Sequence, residues 1–173
     1  SQLYEKWVED ENVLYSMSGH YKTNQKMDKS DIKKLLDSEK DFQALNYQFL
    51  ISKSILDIKL HESKKIKDIA KLEYNVLKKY QPIAPLKNVS RMMSFSHFFG
   101  GGYDVGYYSY VYANVLDSNV WDQFLTNGIM DKKTAMNFRS KVLEVGGKSP
   151  AAHQIKQLIG TVSLEPFLKN FKR

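Results

Sequence analysis

The chain contains no cysteine. No disulfide staples it and no thiolate can hold a metal ion. A reducing, cytoplasmic setting is expected. No run of roughly eighteen apolar residues occurs, so no membrane partner is expected. Histidine is sparse, at positions 20, 61, 97 and 153. None pairs at i, i+4, so no HExxH helix is present. His61-Glu62 opens like one, but Lys65 stands where the second histidine belongs. No metal site is therefore expected within the chain. No segment alternates apolar and polar residues over four or more positions with β-branched enrichment and flanking turns, so no sheet is expected. Acidic residues are outnumbered, 19 against 26 Lys and Arg, for a net charge of +7. The lysines are spread along the chain and sit beside acids, as over residues 64–71. They read as solvated helix faces rather than a nucleic-acid stripe, and no nucleic-acid partner is expected.

What is there reads as helix. At 173 residues, 42% of them apolar, the chain has the length and composition of one domain with a core. Residues 1–14 carry a helical pattern with Leu3, Trp7, Val8 and Leu14 on the buried face. A loop follows over residues 16–26. A short helix over 31–36, capped by Ser30 or Asp28, precedes a long one over 39–62 with Phe42, Leu45, Phe49, Ile55, Leu56 and Leu60 inward. Residues 65–80 form an amphipathic helix with Ile66, Ile69, Ala70, Val76, Leu77 and Tyr80 inward, stopped by Pro82 and Pro85. Residues 81–94 are an irregular link. Helices are expected over 103–116, broken by Asp117-Ser118, and over 120–126, ended by Asn127-Gly128. A helix over 131–145, N-capped by Asp131, buries Ala135, Phe138, Val142 and Leu143. Another over 149–160 has Ser149 as N-cap and Pro150 in its first turn, and a last one covers 164–171. The expected fold class is all-α, a multi-helix bundle with short connections.

One stretch departs from ordinary globular sequence. Residues 95–110 read FSHFFGGGYDVGYYSY. Three consecutive glycines allow backbone conformations closed to other residues. Four phenols follow, Tyr103, Tyr107, Tyr108 and Tyr110, neutral donors suited to a developing negative charge. Tyr103, Tyr107 and Tyr110 fall at i, i+4 and i+7, one face of a helix starting near Tyr103. Tyr108 faces elsewhere and is read as core.

This stretch resembles the histidine, glycine-rich loop and tyrosine helix of the thimet oligopeptidase and oligopeptidase A family of zinc peptidases. Other segments match it in collinear order. Ser1, Gln2, Glu5 and Trp7 resemble the segment just after the family's third zinc ligand. His20, Tyr21 and Thr23 resemble its His-Tyr-x-Thr-Gly turn, with Asn24 in the glycine's place. Asp57-x-x-Leu60-His61 is similar to its Asp-x-x-Leu-His; a local bond at i, i+4 suffices to explain that pair, and no chemistry is assigned to it. Arg139 ahead of Gly146-Gly147, and Glu165-Pro166-Phe167-Leu168, resemble its closing segments. Three glycines after Phe98 and Phe99 look closer to the oligopeptidase A and dipeptidyl carboxypeptidase branch.

The resemblance implies a division of labour. The zinc ion, its two histidines and glutamate, and the HExxH glutamate that acts as general base would belong to an upstream part of the same polypeptide. Residues 1–173 would be a C-terminal helical segment of the catalytic domain, with no cofactor of its own and inactive alone. It would supply the opposite wall of a cleft for short peptides. Tyr110 is implied as the donor to the oxyanion, with His97 beside it against the substrate backbone. Tyr103, Tyr107, Gly101 and Gly102 are implied as substrate-binding. The alternative is a free-standing helical module that binds peptides without catalysis.

Overall fold

In the computed structural model of the chain, residues 1–171 are described; the last two positions of the expected 1–173 segment lie outside them. The described residues form eight α-helices and no strand, so the all-α class holds. The helices are α1 (Gln2–Glu5), α2 (Glu11–Met17), α3 (Lys29–Glu62), α4 (Ile69–Tyr80), α5 (Ser109–Asn127), α6 (Lys132–Phe138), α7 (Ala151–Ile159) and α8 (Glu165–Lys169).

Several expected boundaries move, each for a local reason. The helix expected over 1–14 divides at Asp10, whose carboxylate accepts the N–H groups of Asn12 and Val13 and starts α2. The two helices expected over 31–36 and 39–62 are one, α3. Asp37 and Ser38 have modest helix propensity, but neither removes a donor nor clashes as proline does. Asp28 accepts the Ser30 N–H at 2.8 Å and opens α3. α4 starts at Ile69, four residues late, because Asp68 caps it through the Lys71 N–H. Asp117-Ser118 does not break the following helix; both residues are buried inside a continuous α5. Asp131 caps α6 as expected, accepting the Thr134 N–H at 2.7 Å. Past Phe138 the helix widens into a π turn, Arg139–Leu143, closed by Glu144 N–H on the Arg139 carbonyl at 2.9 Å. The changed period leaves Leu143 exposed, and Ala135 is exposed as well. Pro150, not Ser149, is the N-cap of α7. Val8, Phe42 and Tyr80, expected inward, are exposed.

The chain divides into two compact units. One comprises Ser1–Asp41 with the described part of Ala113–Arg173. Its core joins Leu3, Val120, Trp121, Phe124 and Ile155. Trp7 sets its ring edge-on to Trp121 at 4.8 Å and to Phe124 at 4.9 Å, and its indole N–H donates to the Ile129 carbonyl at 3.2 Å. Asn119 bonds the Val115 and Ser163 carbonyls and accepts the Ser163 N–H, tying α5 to the turn before α8. Lys6 and Asp117 form a buried pair at 3.7 Å. In the loop after α2, Asn24, standing in the place of the family's glycine, takes the left-handed conformation at φ 57°. His20 Nδ1 there faces the N–H groups of Lys22 and Thr23 at 3.3 Å, a turn-forming role.

The second unit is Phe42–Tyr112. Leu56, Leu60, Leu77, Met92, Phe98 and Tyr107 make its core. Burial of large side chains, at about 1.5–3 kcal/mol each, holds it together. Several polar groups inside it are bonded, although Ser90 Oγ is buried with no hydrogen-bond partner among the described residues. Ser52 Oγ donates to the Phe49 carbonyl and accepts from Gln81 at 2.8 Å. Buried Glu73 accepts the N–H groups of Arg91 and Met92 and fixes the irregular link to α4. A cavity of about 590 Å³ lies between this link and helices α3 and α4, bordered by Phe49, Lys53, Leu77, Ile83 and Phe95 among others.

Candidate functional site

The distinctive stretch lies wholly in the second unit. Two short 3₁₀ turns, Met92–Ser94 and Ser96–Phe98, carry the chain into the glycines. Phe98 is buried in the core and holds this corner down, with its ring edge-on to Phe95 at 4.9 Å and to Tyr107 at 5.5 Å. His97, one residue earlier, is half-buried. Gly101 and Gly102 have φ of 75° and 78°. A Cβ on Gly102 would meet nothing within 4 Å, so the positive φ, not crowding, makes glycine the favoured residue there.

The helix bearing the tyrosines begins later than its spacing suggests. Asp104 to Tyr108 form a turn, and α5 starts at Ser109. Val105 stands at φ 60°, outside the helical region and an outlier for a β-branched residue. Gly106 donates its N–H to the Tyr103 carbonyl at 2.7 Å, and a Cβ on Gly106 would meet that oxygen at 3.2 Å. The helical-face argument for Tyr103, Tyr107 and Tyr110 therefore fails, but the turn brings the rings together all the same.

His97, Tyr103, Tyr107 and Tyr110 form one ring cluster. Tyr103 and Tyr110 stack with centroids 5.7 Å apart and planes 9° from parallel. His97 lies 5.3 Å from Tyr103, 6.1 Å from Tyr107 and 6.2 Å from Tyr110. Tyr107 meets Tyr110 edge-on at 5.1 Å. Exposure divides them. Tyr103 is 41% exposed and Tyr107 only 8%, so Tyr107 backs the cluster from the core. Tyr108, read from the sequence as core, is 54% exposed; the turn geometry sends it outward. Burial, then a hydrogen bond with Tyr103, pushes the Tyr110 phenol above its ordinary value of 10.0. Burial, then the neighbouring Tyr110, does the same for Tyr107. Both remain protonated donors at neutral pH.

Sequence reasoning missed one participant. Asp57 on α3 is fully buried. The expected local bond exists, with His61 Nδ1 2.9 Å from the Asp57 carbonyl and 3.1 Å from its carboxylate. The carboxylate also accepts the Val105 N–H at 3.2 Å and the Tyr107 N–H at 3.1 Å. The local pair is therefore not a sufficient explanation of Asp57. Its signal in the sequence was an acid directly beside Leu56 on the helix face that Leu56 and Leu60 bury.

Among the described residues no group of three or more His, Asp or Glu is placed to hold a metal ion. The rings of Phe95, Tyr103 and Tyr110 surround His97. The described residues do not fit a zinc site. No helix among the described residues is long and apolar enough to cross a membrane.

The family model for Peptidase family M3 matches residues 1–172. The chain belongs to that family. Oligopeptidase A of Haemophilus influenzae is 31% identical over 166 residues, covering 92% of this chain and 24% of the relative. Organellar oligopeptidase A of Arabidopsis thaliana is 33% identical over 180 residues, covering 98% and 22%. A thimet-like oligopeptidase of Dictyostelium discoideum is 30% identical over 174 residues, covering 98% and 26%. The chain thus spans about a quarter of the length of the curated relatives it matches.

Proposed function

We propose that the chain is a C-terminal segment of the catalytic domain of a zinc-dependent oligopeptidase, and that it supplies the substrate-binding and oxyanion-stabilising wall of the cleft. The zinc ligands and the general base lie on this reading in the remaining part of the polypeptide. The observation that carries the reading is the convergence of Tyr103 and Tyr110, stacked at 5.7 Å, on His97 within 6.2 Å. Membership of the peptidase family and the oligopeptidase names of its relatives agree with it.

The roles follow from exposure and chemistry. Tyr110 donates its hydroxyl to the oxygen of the scissile carbonyl as charge develops there. A phenol with a raised pKa stays a donor throughout the neutral range. His97 and the exposed Tyr103 hold the peptide backbone. Tyr107 supports the Tyr110 ring from behind, and Gly101 and Gly102 let the loop approach the bound peptide. The full-length protein should hydrolyse short unstructured peptides. Chelation should abolish that activity and zinc restore it, whereas residues 1–173 alone should be inactive and bind zinc no better than a generic histidine-bearing surface. Hydrolysis that survives exhaustive chelation, or a stoichiometric sub-micromolar zinc site in the isolated segment, would contradict the reading.

A further inference from the structure

We propose that Asp57 is a positioning residue for the tyrosine wall: its buried carboxylate on α3 clamps the turn from which Tyr103 and Tyr110 project. This rests on the reading that those two phenols meet the substrate.

The carboxylate is fully buried. A buried carboxylate without donors is strongly unfavourable, so its partners are obligatory. Two backbone donors reach it, the Val105 N–H at 3.2 Å and the Tyr107 N–H at 3.1 Å; His61 Nδ1 lies 3.1 Å from it and bonds the Asp57 carbonyl. The two backbone donors lie two residues apart, with Gly106 between them, and converge on one anion as oriented amides do in anion-binding turns. The left-handed Val105, at φ 60°, is part of that arrangement. Nothing local favours this conformation for valine. The bond to Asp57 is a specific interaction that holds it.

The clamp is connected by hydrogen bonds to both phenol-bearing residues. Gly106, between the two clamped amides, donates to the Tyr103 carbonyl at 2.7 Å. Ser109 donates to the Gly106 carbonyl at 2.9 Å and Tyr110 to the Tyr107 carbonyl at 3.3 Å, forming the lead into α5. A displacement of the Tyr107 peptide therefore moves the backbone that carries Tyr110. Misplacing a reacting-site group by about 1 Å can cost about 10²-fold in rate. Packing alone would not specify this geometry, because Tyr103 and Val105 are both exposed.

The test uses Asp57→Asn in the full-length protein, with Val120→Ala, in the core of the other unit, as a matched destabilised control. An asparagine keeps the size and one acceptor but turns a donor toward one of the two N–H groups. Turnover, KM and amide exchange at Val105 and Tyr107 are measured at a temperature where both variants are folded. Asp57→Asn should lower kcat by about 10²-fold with KM within a few-fold, and at least one of the two amides should exchange faster. Val120→Ala should change neither. Unchanged exchange at both amides, or faster exchange with wild-type kcat while Tyr110→Phe is impaired, would overturn the proposal. Faster exchange with wild-type kcat in both Asp57→Asn and Tyr110→Phe would overturn the oxyanion reading and, with it, the positioning role, leaving Asp57 a structural anchor.

Discussion

Single residues carry strain and charge that no periodicity announces. Val105 at φ 60° is one; a valine in a run of small and aromatic residues gives no sign of left-handed backbone. Asp117 is another. Burial raises its carboxyl from 3.8 to about 6, against the opposing pull of Lys6. One of its oxygens, Oδ2, is buried with no hydrogen-bond partner among the described residues. Because the native pKa is raised, the folded chain binds this proton more tightly than the unfolded chain. The resulting stabilisation is complete below pH 3.8 and is lost as pH rises through about 6. The difference in stability between wild type and Asp117→Asn should therefore change with pH across that window and level off above it. Urea denaturation of both proteins at intervals of pH checks this; a pH-independent difference would mean that Asp117 titrates normally.

At the scale of elements, legibility followed local chemistry. Helix type and order were readable wherever apolar residues recur at helical spacing, as in α3 and α4, and Asp131 announced its cap. Boundaries failed where tertiary contacts outweighed weak breakers. Asp117-Ser118 looked like a stop because both residues favour turns, yet burial beside Lys6 keeps them helical. The start of α5 was misplaced because Tyr103, Tyr107 and Tyr110 have helical spacing by coincidence of a turn. The continuous α3 yields a sharp prediction. Ser38 is exposed and lies inside the helix, so Ser38→Pro removes a helical hydrogen bond and should destabilise the protein by about 3 kcal/mol. Were residues 36–39 a connection between two helices, the same substitution would be nearly neutral. Denaturant midpoints of the two proteins decide between these.

At the scale of the whole molecule, family membership was legible because one short stretch is chemically unusual. Its His97, glycines and tyrosines identify the family far better than the helices, which any all-α protein could contain. The anchoring of that stretch was not legible, since Asp57 and Val105 are 48 positions apart and only the fold brings them together. The chain covers 24% of the Haemophilus relative, and on the proposed division of labour its share of the chemistry is to meet the substrate rather than to hold the metal. The most direct measurement is therefore the turnover of Tyr110→Phe in the full-length protein on a short peptide. The substitution removes one hydroxyl and keeps the ring that stacks on Tyr103. If that hydroxyl bonds the oxygen only as it becomes an oxyanion, kcat should fall about 10²–10³-fold, roughly 2.7–4 kcal/mol, with little change in KM. Tyr108→Phe, on the exposed neighbour, should be silent, and His97→Ala should fall between them with an effect on KM. Turnover of Tyr110→Phe within a few-fold of wild type would contradict the assignment of this wall to catalysis.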